Sequence, residues 1–244
     1  MHKLVFLNHS GFLIELEHAV LVFDMYTDPA SVLSQYVEST KAFYFFVSHA
    51  HYDHWNSEIL DFNSRGTRTY FLDQSCQLPE DFEQEDLDRF YQASSGERFH
   101  LSTKEQEKTG VISIEVFGST DEGSSFLVTT HAGKIFHSGD LNLWDWEREG
   151  ETDLAMEAAY RGELIKIQEA LEQETLWISM LPVDSRLGAK AFSGAEVFLE
   201  YIKTRFLVPD HLNGGVNLPR ELQELVGDKT EVLTMTTPGV TITL

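Results

Sequence analysis

One short segment of the chain carries four side chains that could bind metal. His49, His51, Asp53 and His54 fall within six residues, directly after the apolar run Ala42–Val47. Imidazole and carboxylate groups are good ligands for zinc and similar divalent ions, and close spacing reduces the entropy lost on ordering them. A tight turn can aim His49 and His51 the same way, while Asp53 and His54 can face a second ion. The spacing predicts a metal site rather than a solvated polar loop.

Two residues at later strand ends could complete this site. Asp140 follows an apolar strand and Gly139, which permits a sharp turn, so its carboxylate could bridge two ions. His211 follows a short predicted strand in the same way. Each alone would more often be an ordinary turn aspartate or surface histidine. Together with the first segment they predict a ligand set.

Strands are the main elements predicted to position these residues. Apolar and β-branched runs predict strands over Leu4–Leu7, Phe12–Leu16, Ala19–Phe23, Ala42–Val47, Val111–Phe117, Ser125–Thr130, Lys134–His137, Leu176–Leu181, Phe206–Val208, Glu231–Met235 and Val240–Leu244. Helical spacing and start signals predict a short helix after Asp28-Pro29 and helices over Asp153–Glu172, from Ser193 as the capping residue, and from Pro219 to Gly227. The acidic stretch Glu80–Asp88 predicts a solvated helix face. We find no repeat or linker, so we expect a single domain over residues 1–244.

Charge and composition limit the classes of function. The 244 residues carry a formal net charge of −22, and 42% of them are hydrophobic, which supports a folded core. Such an acidic surface repels phosphate backbones, so we expect no nucleic-acid partner. No apolar run is long enough to span a bilayer, the N-terminus does not resemble a secretory signal, and Cys76 is the only cysteine. We therefore expect a cytoplasmic protein with no membrane partner, with a homo-oligomer left open.

In order and spacing, these motifs resemble the metallo-β-lactamase superfamily over nearly the whole chain. The opening strand His9–Glu15, the strand ending at Asp24, the HxHxDH segment from His49 to His54, the Gly139-Asp140 pair and His211 match its pattern. The resemblance implies a four-layer αββα sandwich of the α/β (α+β) class, with the metals at one edge between the two sheets. The segments Gly118–Gly123, His137–Asn142 and Pro182–Arg186 are most similar to the branch that includes the L-ascorbate-6-phosphate lactonases.

The sequence departs from the superfamily pattern at one ligand. A histidine usually precedes the bridging aspartate in a Gly-His-Thr context, but Ser119 occupies that position here. Asp121 or Glu122 could supply an oxygen ligand instead, which would favour a harder ion such as manganese. The resemblance therefore implies one or two divalent ions, Zn²⁺ or Mn²⁺, and leaves their number open.

The ligand set predicts hydrolysis through a metal-activated water, with Asp53 orienting the nucleophile. Asp24 is the candidate acceptor that fixes a ligand tautomer, and His9 and His137 are either supporting or core histidines. The residues considered for substrate contact are Asn142, Trp144, Trp146 and Arg186, with aromatic packing and an Asp184–Arg186 pair as the competing interpretations. We expect a small, anionic lactone or ester substrate. A phosphodiesterase of the same fold and a non-enzymatic metal-binding protein are the alternatives.

Overall fold

The first of two sheets contains the N-terminal strands and the C-terminal one. The computed structural model describes residues 1–79, 90–146 and 154–244. Seven strands form this sheet in the order β14-β1-β2-β3-β4-β5-β6. Their bounds are β1 Lys3–Asn8, β2 Gly11–Glu15, β3 Ala19–Phe23, β4 Ala42–Val47, β5 Arg68–Asp73, β6 Phe90–Ala93 and β14 Thr241–Thr243. The pairs from β14 to β3 are antiparallel, and those from β3 to β6 are parallel.

The second sheet repeats this arrangement of antiparallel and parallel pairs. Its order is β13-β12-β11-β10-β9-β8-β7. The bounds are β7 Arg98–His100, β8 Val111–Phe117, β9 Ser125–Thr130, β10 Gly133–His137, β11 Leu176–Pro182, β12 Thr204–Asp210 and β13 Glu231–Val232. The pairs from β7 to β10 are antiparallel, and those from β10 to β13 are parallel.

A shared core joins the inner faces of the sheets, with helices or short turns outside. Phe23, Phe46 and Phe71 of the first sheet belong to the same buried cluster as Ile114 and Phe126 of the second. Four α-helices are described: α1 Thr103–Thr109, α2 Leu154–Leu171, α3 Ser193–Tyr201 and α4 Leu218–Val226. Helices α2, α3 and α4 bury apolar side chains against the outer face of the second sheet. The 3₁₀ helices Leu33–Tyr36 and Ser57–Asp61 contribute to the cover on the first. These layers form the expected αββα sandwich.

Strand direction determines where the candidate site lies. Parallel neighbours end at the same edge of a sheet, so the residues after β3 and β4 meet on one side, as do those after β10, β11 and β12. Strand β1 runs in the same direction as β3 because two antiparallel pairings separate them. The turn after β1 therefore reaches this edge too.

The structure differs from the sequence expectations in a few elements. The helix expected after Asp28 is a single 3₁₀ turn, although both carboxylate oxygens of Asp28 accept backbone hydrogen bonds from Val32 and Leu33. Helix α3 has Phe192 at its N-cap with no side-chain cap, so Ser193 is not the capping residue. Strand β13 ends at Val232, three residues earlier than expected.

Other differences lie at polar or undescribed parts of the chain. Strands β5, β6 and β7 and helix α1 were not predicted, because their sequences alternate less clearly between apolar and polar residues. The acidic stretch Glu80–Asp88 and the expected start of α2 at Asp153 lie outside the described residues. Among the described helices, none combines the length and the apolar character needed to cross a bilayer.

Candidate metal centre

The predicted ligands converge at the strand-end edge in two groups. Within each group, the potential ligand atoms lie within 4.8 Å of one another. The first group contains His49, His51 and Asp140, and the second contains His9, Asp53, His54 and His211. Because these residues follow β1, β4, β10 and β12, the centre joins both sheets.

The first group is built on the loop after β4. His49 Nε2 lies 3.0 Å from His51 Nδ1 and 3.5 Å from Asp140 Oδ2. His49 is buried, whereas about half of the His51 side chain is exposed. Glu122 Oε2 lies 2.8 Å from His51 Nε2, at the solvent side of this group. The first group therefore contains two imidazoles and one buried carboxylate, with a second carboxylate at its rim.

In the second group, the two buried histidines face the carboxylate of Asp140. His54 Nε2 and His211 Nε2 lie 3.3 Å apart, and they are 3.2 and 3.1 Å, respectively, from Asp140 Oδ1. Since Asp140 Oδ2 faces His49 and Oδ1 faces this pair, its carboxylate lies between the two groups. This is the position required of a bridging ligand.

One buried carboxylate, Asp24, orients ligands of both groups. Asp24 Oδ2 lies 2.7 Å from His54 Nδ1 and accepts a hydrogen bond from Ser48 Oγ at 2.6 Å. Ser48 Oγ in turn lies 2.9 Å from His49 Nδ1. Because the hydroxyl proton is donated to Asp24, its oxygen is free to accept the Nδ1 proton of His49. Both histidines then present an unprotonated Nε2 to the centre.

Asp184 supports the remaining buried histidine. Its Oδ2 lies 3.3 Å from His211 Nδ1 and accepts a hydrogen bond from Asn213 Nδ2 at 2.9 Å. Arg186 also binds this carboxylate through its guanidinium group. Asp184 therefore favours a proton on Nδ1 of His211, and leaves Nε2 free to bind metal.

Two glycines allow the loop after β4 to pack closely. A Cβ atom at Gly123, whose φ is +78°, would lie 2.1 Å from the carbonyl oxygen of Ser48. A Cβ atom at Gly139, whose φ is +52°, would lie 2.5 Å from Ser48 Cβ. Larger residues would push the His49 loop away from Asp140. Glycine at both positions is thus required for the observed ligand spacing.

The electrostatic environment favours positive charge among the imidazoles. Burial opposes the charged form of His54, but the neighbouring carboxylates of Asp140 and Asp24 raise the pKa of His54 well above its usual value. Burial also opposes the charged form of His211, but the carboxylates of Asp140 and Asp184 raise the pKa of His211 to about 9. Although burial opposes it, His211 and His54 hold the pKa of Asp140 well below its usual range. A cation at this position would be stabilised by the same carboxylates.

The donor set fits a divalent metal. In their neutral forms, His54 and His211 carry the proton on Nδ1, so two Nε2 lone pairs face each other at 3.3 Å. Such lone pairs repel unless a proton or a metal ion lies between them. Asp140 Oδ1 is also buried, and no described residue offers it an aligned hydrogen-bond donor. Nitrogen and oxygen atoms directed at a common point are the arrangement that zinc and related ions require.

The residues predicted to contact substrate occupy different environments. Asn142 is 2% exposed, and its side-chain oxygen packs closely against Gly194 of α3. Trp144 is also buried and donates a hydrogen bond from Nε1 to the Asp140 carbonyl oxygen, with its ring edge-on to His211. It therefore supports the centre by packing. Neither Asn142 nor Trp144 therefore lines an open entrance to the metal centre.

Arg186 and Trp146 are the more exposed members of this predicted set. The Arg186 guanidinium lies 5.5 Å from the centre of the Trp146 ring, and 54% of the Arg186 side chain is exposed. Trp146 stacks on Trp144 with a ring separation of 5.8 Å. The predicted Asp184–Arg186 pair is present, and it anchors Arg186 beside the carboxylate that supports His211.

Sequence reasoning did not assign two members of this centre to their positions. His9 was considered only as a supporting or core residue, yet it lies within the second group. Ser48 was given no role, although it connects Asp24 to His49. Ser48 directly follows the apolar run Ala42–Val47, and His9 follows Leu4–Leu7 after one intervening residue, but many turn residues share such positions.

Comparisons with known proteins identify the fold through structure alone. No protein-family model matches the chain, and no curated protein matches its sequence. Igni18, a metallo hydrolase from the archaeon Ignicoccus hospitalis KIN4/I, aligns over 100% of this chain and 99% of its own, with a TM-score of 0.65 and 17% identity. The metallo-β-lactamase fold protein YhfI from Bacillus subtilis aligns over 100% of both chains, with a TM-score of 0.56 and 11% identity.

A third similar structure extends beyond the region matched here. CmlA, a diiron β-hydroxylase from Streptomyces venezuelae, aligns over 100% of this chain but 54% of its own, with a TM-score of 0.59 and 10% identity. The paired mixed sheets, the order of their strands and these structural matches agree. The chain has the αββα metallo-β-lactamase fold, with its candidate metal centre at one edge of the sandwich.

Proposed function

We propose that the protein is a metal-dependent hydrolase that acts on a small anionic lactone or ester. The observation that carries this proposal is the convergence of His49, His54 and His211 Nε2 atoms on the carboxylate of Asp140. When bound, a divalent ion makes water more acidic and polarises the scissile carbonyl oxygen. These are the two requirements for hydrolysing an ester at neutral pH.

Asp53 is the residue best placed to orient the attacking water. Its side chain is 25% exposed, compared with 6% for Asp140, so it can contact both the centre and solvent. The neighbouring His9 holds the pKa of Asp53 well below its usual range, so the carboxylate stays ionised. An ionised Asp53 Oδ2 can accept a hydrogen bond from the water and pass a proton to the leaving group.

The anionic substrate class is supported by Arg186 and by the overall charge. Arg186 offers an exposed guanidinium beside Asp184, and such a group suits a carboxylate or phosphate of the substrate. The net charge of −22 opposes a long polyanion that must lie across the surface. A phosphorylated sugar lactone satisfies both conditions and agrees with the resemblance to the ascorbate-6-phosphate lactonase branch.

Hydrolysis by the metal-loaded protein tests this proposal. The protein is stripped of metal, reloaded with Zn²⁺ or Mn²⁺, and assayed with a phosphorylated lactone, the same lactone without phosphate, and an activated phosphodiester. We expect turnover of the phosphorylated lactone at a rate that Asp140→Asn reduces at least ~100-fold, because the bridging carboxylate is lost. Asp228→Asn, an exposed turn residue after α4, is the control and should retain full activity.

Three other results would contradict the proposal in different ways. Turnover of the phosphodiester alone would identify a phosphodiesterase of the same fold. Stable binding of metal without turnover of any substrate would favour a non-enzymatic metal-binding protein. Full activity and full metal content in Asp140→Asn would mean that the centre is misplaced.

A further inference from the structure

We propose that His9 is a metal ligand of the second group, together with Asp53, His54 and His211. The assignment rests on the metal-binding part of the proposed function, but not on its substrate. It adds a ligand from the turn after β1 to those supplied by the loops after β4 and β12.

The turn after β1 holds His9 in a constrained position. His9 has a φ of +51°, a left-handed conformation that is uncommon for a residue with a side chain. Gly11 completes the turn, and a Cβ atom there would lie 2.9 Å from the Asn8 carbonyl oxygen and 3.0 Å from that of Asp24. Asn8 also donates a hydrogen bond to the Tyr26 hydroxyl at 2.8 Å. The turn is therefore fixed against the residues that follow β3.

Backbone strain of this kind is shared by other parts of the centre. Asp24 and His211 also have positive φ values, of +39° and +55°. Strained conformations persist where surrounding structure requires them, and they concentrate at functional sites. The same backbone feature thus occurs in a supporting residue, an expected ligand and His9.

The His9 ring is directed into the second group. Its centre lies 3.9 Å from that of the His211 ring and 5.7 Å from that of the His54 ring. Its Nε2 is buried and lies 3.4 Å from Asp53 Oδ2, without the alignment of a hydrogen bond. Within the described part of the chain this buried nitrogen has no aligned hydrogen bond, which is costly, and a metal ion would satisfy it.

The separations within the group are compatible with one shared ion. Zinc binds imidazole nitrogen and carboxylate oxygen at about 2.0–2.2 Å, so two ligand atoms on one ion are separated by at most about 4.4 Å. The ligand atoms of the four residues lie within 4.8 Å of one another, so a small movement would bring all of them onto one ion. Asp140 Oδ1 faces the same position.

This assignment makes the two metal positions unequal. The second group would hold its ion with four protein side chains in addition to bridging Asp140, whereas the first group offers His49 and His51 with Asp140. Sites filled by protein ligands are typically structural, and catalytic sites keep an open position. We therefore infer that the ion of the second group is held more tightly and that the exchangeable position lies at the first.

Two substitutions at His9 distinguish whether His9 is a metal ligand or only positions Asp53. Asn and Asp both tolerate the left-handed backbone, but only the Asp carboxylate is a strong ligand. His18→Asn, an exposed histidine at the β2–β3 turn, is the matched control. Each protein is loaded with Zn²⁺, dialysed against a weak chelator and assayed for bound metal. The Co²⁺-loaded forms are examined by proton NMR, in which each ligating imidazole contributes a strongly shifted N–H signal.

We expect wild type, His18→Asn and His9→Asp to retain the ion of the second group, whether or not the exchangeable first position stays filled. His9→Asn should bind that ion more than ~100-fold more weakly, which exceeds the usual effect of a supporting residue, so it should retain one ion fewer than wild type under the same conditions and lack one shifted N–H signal. Unchanged metal content in His9→Asn, or weaker binding with every wild-type N–H signal retained, would overturn the assignment while leaving the proposed hydrolase intact. A wild-type protein that retains no ion would overturn both.

Discussion

At the scale of single residues, the centre depends on how each imidazole is held. Asp24 contacts His54 directly and His49 through the Ser48 hydroxyl, so one buried anion sets the tautomer of a histidine in each group. Asp184 does the same for His211. Neutral imidazole with a proton on the outward nitrogen is the form that binds metal. The loss of either carboxylate would therefore weaken metal binding without removing any ligand.

Because Ser119 occupies the position of the usual histidine ligand, Glu122 is a candidate to replace that ligand. Of the two acids considered as replacements for the usual histidine, Glu122 is the one that contacts His51, at 2.8 Å. We predict that Glu122→Gln lowers the Mn²⁺ content of the first group by at least ~10-fold and lowers Zn²⁺ less, because a carboxylate oxygen favours the harder ion. Metal analysis after dialysis with equal Mn²⁺ and Zn²⁺ measures this ratio.

The neighbouring acid supplies the control for this prediction. Asp121→Asn removes the same charge from an exposed position and should leave the ratio of bound Mn²⁺ to Zn²⁺ unchanged. An equal change in both variants would mean that only the general negative charge matters. No change in Glu122→Gln would mean that Glu122 is not a ligand.

At the scale of secondary-structure elements, a polar network connects the strand ends of the first sheet on the side opposite the metal centre. Glu15 at the end of β2 accepts hydrogen bonds from Lys3 of β1, from Lys41 before β4 and from the Tyr36 hydroxyl. Burial opposes ionisation, but these partners lower the pKa of Glu15 to about 2 from an ordinary value of 4.5. The network therefore stabilises the folded state only while Glu15 is ionised.

We predict that Glu15→Gln destabilises the protein by about 1–2 kcal/mol at pH 7, a value that allows for the partial exposure of the lysines. Since the pKa of Glu15 is lowered on folding, its contribution is complete above pH 4.5 and is lost as the pH falls towards 2. Urea denaturation at several pH values measures the difference between variant and wild type.

The difference in unfolding free energy should disappear as Glu15 becomes protonated in both states. Glu17→Gln, at an exposed side chain in the adjacent turn, is the control and should change stability little at any pH. A Glu15→Gln effect of equal size at pH 7 and near pH 2 would contradict the role of the charge.

At the scale of the whole molecule, the candidate centre joins segments that are far apart in sequence. Its ligands follow β1 and β4 of one sheet and β10 and β12 of the other. Because the ligands come together only in the folded chain, ions that bind there stabilise the fold. The positive charge of these ions would also neutralise part of the buried acidic cluster, and so offset part of the net charge of −22.

We predict that removal of metal lowers the Tm by roughly 5–10 °C. This corresponds to about 2.7 kcal/mol when the free ion is at 100 times its Kd. Thermal denaturation with and without a chelator, followed by addition of Zn²⁺, measures the effect. Asp140→Asn, which removes the ligand shared by both groups, should respond less to the chelator than wild type, whereas a wild-type Tm that does not respond would contradict coupling between metal binding and folding.

The sequence by itself determined most of the strands and the local ligand motif. Apolar runs identified β1 to β4 and β8 to β12, because buried strands need continuous or alternating apolar residues. The segment from His49 to His54 indicated a metal site through residue types and spacing alone. Asp140 and His211 were selected because each follows a predicted strand.

Only the tertiary structure decided which of these strand ends meet. The direction and order of strands bring His9 within reach of His211, more than two hundred residues later, and bury Asn142 against Gly194 instead of at an open rim. The edge strands β6 and β7 escaped prediction because their partly exposed residues lack a strong apolar pattern, and β5 escaped because its buried apolar run is only three residues, Tyr70–Leu72. Contacts between distant residues depend on packing of the whole chain, which local spacing does not specify.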